Sequence, residues 1–240
     1  MSNGEITKFT VSEPDDDGDM HTDVEMSFTN SSGEDVRLVK AASVFFSSSG
    51  VAIGSGTNKD TLALDPGEDF SINPGSRWLK VGMAGTERND IRCVARAVLY
   101  KREFHRLGEI DLPKSESEPA VLVATTKSSA ISADVKVAVL RMPPDSDGDV
   151  NLEVRCGFYN LGESRLDEVT LKIDVLDEDD SVLKSDETST DIDPKAWGAI
   201  DTTIWGLSKG VLKSSKARMY LTIYHPVLVV NGEGVSSPAD

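Results

Sequence analysis

Asp15, Asp17 and Asp19 sit at alternate positions in the segment Pro14-Asp15-Asp16-Asp17-Gly18-Asp19. The same chemistry returns as Pro144-Asp145-Ser146-Asp147-Gly148-Asp149. A looped backbone can turn three such carboxylates toward one hard cation. Asp15, Asp17, Asp19, Asp145, Asp147 and Asp149 are therefore candidate calcium ligands, for which oxygens at about 2.3–2.6 Å would be needed. The spacing departs from an EF-hand, because glycine precedes the third acid and the twelfth position is Met26 or Cys156 instead of a bidentate glutamate. A turn is the competing reading. Asp-Gly is a preferred turn pair, proline enforces an extended approach, and flanking aspartates keep a hairpin solvated. The sequence favours the turn and keeps calcium as the alternative.

A second group of residues breaks the acidic character of the chain. Arg88, Arg92, Arg96, Lys101, Arg102 and Arg106 form a basic segment, and on a strand Arg92 and Arg96 share a face. Arg88, Arg92, Arg96, Arg102 and Arg106 are the candidate partner-binding residues, suited to an acidic protein surface through charge-assisted contacts. The plainer reading is a solvated strand face with locally paired arginines.

Catalytic signatures are missing. His21, His105 and His225 share no motif spacing, and the chain carries no Gly-x-Ser-x-Gly elbow, P-loop or dinucleotide fingerprint. The expectation is a protein that is not an enzyme and has no cofactor, calcium aside. Trp78 and Trp205 occupy equivalent points of a repeat described below. Paired tryptophans of this kind are expected in the core; on the surface they would serve as stacking platforms of a carbohydrate-binding module. Cys93 and Cys156 lie in different halves and read as two buried thiols, with no Cys/His cluster for zinc.

The elements that must position these residues are strands. Val24-Glu25-Met26-Ser27-Phe28, Leu152 to Phe158, and Val169, Leu171, Ile173 and Val175 keep the two-residue period of half-buried strands. Further strands are expected around Phe70–Ile72, Ile200–Ile204, Ile91–Tyr100 and Ala217–Tyr224, and no stretch holds a helical period over three turns. Turns are expected at Asn30–Gly33, Ser47–Gly50, Asn160–Glu163, Asp177–Asp180 and the two Asp-Pro pairs.

These elements come in two series. Pro14 recurs as Pro144 at an offset of 130, which also superposes Val24, Phe28 and Asn30 on Val154, Phe158 and Asn160. Asp65-Pro66 then answers Asp193-Pro194, Trp78 answers Trp205, and Tyr100 answers Tyr224. An ordered series of this kind predicts an internal duplication. The expected fold class is all-β, with two tandem immunoglobulin-like β-sandwich domains. Residues 1–112 form the first, 113–132 a linker or added edge strand, and 133–240 the second.

The strand from Val154 to Asn160, the long strand from Leu166 to Asp177, Val182-Leu183 and Ile192-Asp193-Pro194 follow one another in a particular order. That order, with Leu64-Asp65-Pro66-Gly67-Glu68 in the first copy, resembles CARDB-like and FxLYD-like bacterial sandwich domains. The resemblance implies a non-catalytic adhesion or interaction module.

Over its 240 residues the chain has a net charge of −16, shared equally between the halves, with 13 basic against 21 acidic residues before position 121 and 12 against 20 after it. Such a surface repels polyanions, so nucleic acid and anionic membranes are not expected partners. No basic and apolar leader opens the sequence, which predicts a cytoplasmic protein. The functional expectation is a structural or interaction module that presents strand edges and loops to a protein partner, as part of a larger assembly. Calcium binding is the alternative and carbohydrate binding stands behind it. Nothing in the sequence indicates an oligomeric state.

Overall fold

The computed structural model describes residues 2–75, 78–80, 90–208 and 215–238. In chain order the strands are β1 (Ser2–Asn3), β2 (Glu5–Val11), β3 (Asp19–Thr29), β4 (Val36–Phe46), β5 (Ala52–Leu64), β6 (Asp69–Ile72), β7 (Trp78–Lys80) and β8 (Arg92–Asp111). They continue as β9 (Ala120–Thr125), β10 (Asp134–Arg141), β11 (Val150–Tyr159), β12 (Leu166–Leu176), β13 (Val182–Ile192), β14 (Trp197–Leu207), β15 (Lys216–Val235) and β16 (Ser237–Pro238). Among the described residues there is no helix, so the fold is all-β.

The chain divides into two compact units, Met1–Arg102 with His225–Asp240, and Glu103–Tyr224. In the first unit one sheet runs β5-β4-β8-β15, with β1 beside β15, and the other runs β16-β2-β3-β6, with β7 also on β3. In the second unit the corresponding sheets are β13-β12-β15-β8 and β14-β11-β10-β9.

Each unit buries one core between two sheets, as alternation requires. In the second unit Leu152, Val154, Cys156 and Phe158 of β11 point inward while Glu153, Arg155, Gly157 and Tyr159 point out. The inward set meets Leu171, Ile173 and Val175 of β12 and Met219, Leu221 and Ile223 of β15. In the first unit Val24, Met26 and Phe28 of β3 meet Val39, Ala41 and Phe45 of β4 and Cys93, Ala97 and Leu99 of β8.

Two elements run longer than expected. β8 and β15 have 20 residues each and pass from one unit into the other. The charged run Lys101-Arg102-Glu103 reads as the end of a strand by composition, but these residues lie on a strand that simply continues. Arg102 takes an exposed outer position, Lys101 and Glu103 are half-buried, and Leu107 is already back inside a core. As a result, residues 225–235 of β15 complete the first unit and residues 103–111 of β8 belong to the second. Phe104 stacks on Tyr220 at 5.4 Å in the second unit, and the Ser236 N–H donates to the Ile91 carbonyl at 2.9 Å in the first.

Candidate functional site

The two acidic loops are hairpin turns with one bonding plan. Asp15 N–H donates to the Asp19 carbonyl at 2.9 Å, Gly18 N–H donates back to the Asp15 carbonyl at 3.0 Å, and Gly18 has φ of 78°. The carboxylate of Asp15 accepts the N–H groups of Asp17 and Asp19 on a single oxygen, Oδ1, at 3.0 and 2.8 Å. Asp145 repeats this with Asp147 and Asp149, both at 3.0 Å. The turn at Asp177 follows the same plan with Asp179 and Ser181, both at 2.9 Å. Ser47 does so with its hydroxyl, which accepts from Val51 N–H at 3.2 Å.

One side chain per loop therefore faces its own backbone, as an Asx turn requires. Among the described residues no group of three or more His, Cys, Asp or Glu side chains is arranged to hold a metal ion. Asp19 Oδ1 is buried without a partner, but it is a single oxygen. A hard cation takes six to eight oxygens, whereas in each loop the first aspartate is already engaged with two backbone amides.

The arginines of the basic segment are distributed along β8. Arg92 and Arg96 are exposed on one face in the first unit, where Arg92 lies over the Phe46 ring at 5.1 Å. Arg102 is exposed at the last position of that part of the chain. Arg106 belongs to the second unit and pairs with Glu109 at 2.5 Å. Arg88 lies outside the described residues. Glu109 also accepts from Arg218 Nε at 2.7 Å, and that bond, with a smaller contribution from Arg106, holds its carboxyl below the usual range.

The tryptophans overturn the core reading. Trp78 is 62% exposed and Trp205 is 64% exposed, and Trp197, which the repeat did not single out, is 77% exposed. On β14 the inward positions are Gly198, Ile200 and Ile204, so Trp197 and Trp205 fall on the outer face by alternation. Trp78 has the His21 ring against it at 5.1 Å, edge on. Trp197 has Tyr159, its cross-strand partner, at 5.4 Å. The signal that would have found Trp197 is its place two and four residues before Ala199 and Asp201, out of phase with the buried isoleucines.

Both thiols are buried, Cys93 in the first core and Cys156 in the second, and burial pushes each up to about 12. Neutral, enclosed thiols of this kind are poor nucleophiles.

No protein-family model matches this chain, and no curated protein matches it. Solved structures with similar architecture include red sea bream transglutaminase, 12% identical, covering 98% of this chain and 32% of that one at a TM-score of 0.22. The N-terminal CBM22-1–CBM22-2 tandem domain of Xyn10C from Paenibacillus barcinonensis is 10% identical, covering 95% and 92% at 0.24. A putative β-galactosidase from Bacteroides fragilis is 11% identical, covering 91% and 32% at 0.31. The chain thus spans about a third of the transglutaminase and of the galactosidase. At these TM-scores the likenesses carry no argument about function.

Proposed function

We propose that this chain is a non-enzymatic protein-interaction module whose two units derive from one duplicated domain, and whose partner adds an extended segment to the free edge of β9. The repeated turn plan of Asp15 and Asp145 supports the duplication. The buried Asn30 and Asn160 support it as well, since their side-chain amides donate to equivalent carbonyls, Leu64 and Asp65 in one copy and Ile192 and Asp193 in the other.

The observation that carries the interaction reading is the chemistry of β9. It ends its sheet, its six residues Ala120-Val121-Leu122-Val123-Ala124-Thr125 carry no charge, and Val121 and Val123 are 58% and 56% exposed. The two ends of the long sheet, in contrast, are guarded: β13 carries Lys184, Asp186 and Glu187, and β5 carries Lys59, Asp60 and two glycines. Uncharged, apolar edges are where chains pair. Main-chain bonds then supply affinity, and alternate side chains such as Val121 and Val123 supply selectivity. Arg92 and Arg96, exposed on one face in the first unit, offer an acidic partner a separate surface.

Affinity capture from the native cell tests this reading with three baits: the wild type, Val121→Lys/Val123→Lys, and Arg92→Glu/Arg96→Glu. The valine variant should lose the captured protein while its melting temperature stays unchanged, because both side chains already face solvent. In the wild-type complex the β9 amides should gain protection from hydrogen exchange. Equal recovery by the wild type and the valine variant would refute strand addition, and equal recovery by the arginine variant would remove the basic face from the proposal.

A further inference from the structure

The outer face of the sheet β14-β11-β10-β9 holds a feature that strand addition does not use. Cross-strand register places Tyr159 opposite Trp197, Gly157 opposite Ala199 and also opposite Lys136, and Lys136 opposite Val123. Between these rows lies a trough of about 380 Å³ lined by Ser132, Ala133, Asp134, Lys136, Gly157 and Trp197. Its floor is Gly157. A Cβ built there would meet nothing nearer than the Gly198 carbonyl oxygen at 4.0 Å, so the space above it is open.

The wall is an indole held in place. Tyr159 meets Trp197 edge to face with an interplanar angle of 68°, and its hydroxyl donates to the Lys195 carbonyl at 2.6 Å, which ties the brace to the turn that leads into β14. Across the trough, Asp134 and Lys136 are exposed on β10, and among the described residues neither side chain makes an ion pair or a hydrogen bond. A fixed apolar plane therefore faces one free acceptor and one free donor.

We infer that this trough is a binding site for a neutral saccharide, with a pyranose ring stacked on Trp197 and its hydroxyls shared between Asp134 and Lys136. A pyranose has an apolar C–H face for the indole and a rim that both donates and accepts. Net-charged ligands gain from one of the two ions and are repelled by the other. A proline-rich peptide would cover the indole but offers the Asp134 carboxylate few N–H donors.

The first unit supplies the contrast. At the matching positions Ser27 and Ser71 bond each other at 2.7 Å, and Thr29 donates to Asp69 at 2.6 Å. At those positions the face presents hydroxyls already in use and no ring, and the exposed Trp78 stands farther along β3, opposite His21, so the trough with its indole wall belongs to the second unit.

Affinity electrophoresis of the full chain through gels containing neutral polysaccharides (β-glucan, xylan, galactomannan), with polygalacturonate as the charged comparison, tests the inference. Titration calorimetry with the corresponding hexasaccharides accompanies it. Wild type should be retarded by at least one neutral polymer and less by polygalacturonate. Trp197→Ala, which removes the platform, and Gly157→Val, which fills the floor with a residue that strands accept, should each weaken binding at least tenfold at an unchanged melting temperature. Absence of retardation by every neutral polymer overturns the inference. So does undiminished binding by Gly157→Val, which would place any stacking on Trp197 outside the trough.

Discussion

Asp15 and Asp145 act on the backbone in the same way, each holding two amides of its own turn on one carboxylate oxygen. A hydrogen bond to a charged group contributes about 1.5–3 kcal/mol when shielded and less at the surface, so Asp15→Ala and Asp145→Ala should each cost about 1 kcal/mol. Denaturant titrations read that loss directly. The same loss should appear with and without millimolar calcium, and calcium should leave the wild-type melting temperature in place. A calcium-dependent rise abolished in either variant would restore the metal reading. Asp180 explains why the third turn was harder to recognise as the same device: it holds φ of 61° where the other three turns have glycine. Aspartate tolerates that region better than most side chains, so the turn persists without its usual marker.

In the second unit β8 and β15 are joined by Glu109, whose carboxylate takes Nε of Arg218 at 2.7 Å and Nη2 of Arg106 at 2.5 Å. Its pKa is depressed in the folded chain, so the stabilisation is present above the ordinary carboxylate range and is lost as pH falls through the lowered folded value. Melting curves of wild type and Glu109→Gln should therefore differ at neutral pH and converge in acid; a constant difference down to pH 2 would contradict the assignment. Most of the strands were legible because inner and outer positions alternate cleanly, as in Leu152, Val154, Cys156 and Phe158. The length of β8 was not, because Lys101-Arg102-Glu103 resembles a boundary although only Arg102 is exposed and Lys101 and Glu103 are half-buried. The outward Trp78 and Trp205 were misread for a related reason: repetition marks positions kept in the fold without saying on which face of a strand they stand. β9 was legible as an apolar stretch, and its position at the end of a sheet came only from the pairing with β10.

At the scale of the whole chain, the two units exchange their late strands. Residues 225–235 complete the first unit, where Val230 is fully buried and Val227 and Leu228 pack against the core. Leu107, Ile110 and Leu112 do the same for the second. A fully buried aliphatic side chain is worth about 1.5–3 kcal/mol, against a total of about 5–15 kcal/mol for a domain, and each missing half-strand also removes a row of ladder hydrogen bonds. Cutting between residues 112 and 113 therefore divides both units. Fragments 1–112 and 113–240, prepared separately, should each melt well below the intact chain or remain unfolded, whereas an equimolar mixture should regain strand circular dichroism and a higher transition, since each fragment carries the strand the other lacks. If fragment 1–112 alone melted at the temperature of the full chain, residues 225–235 would be an ornament on the first unit. The opposite result would mean that the two units can vary their outer faces, as Gly157 and Trp197 differ from Ser27 and Asp69, only while keeping the pair of strands that both share.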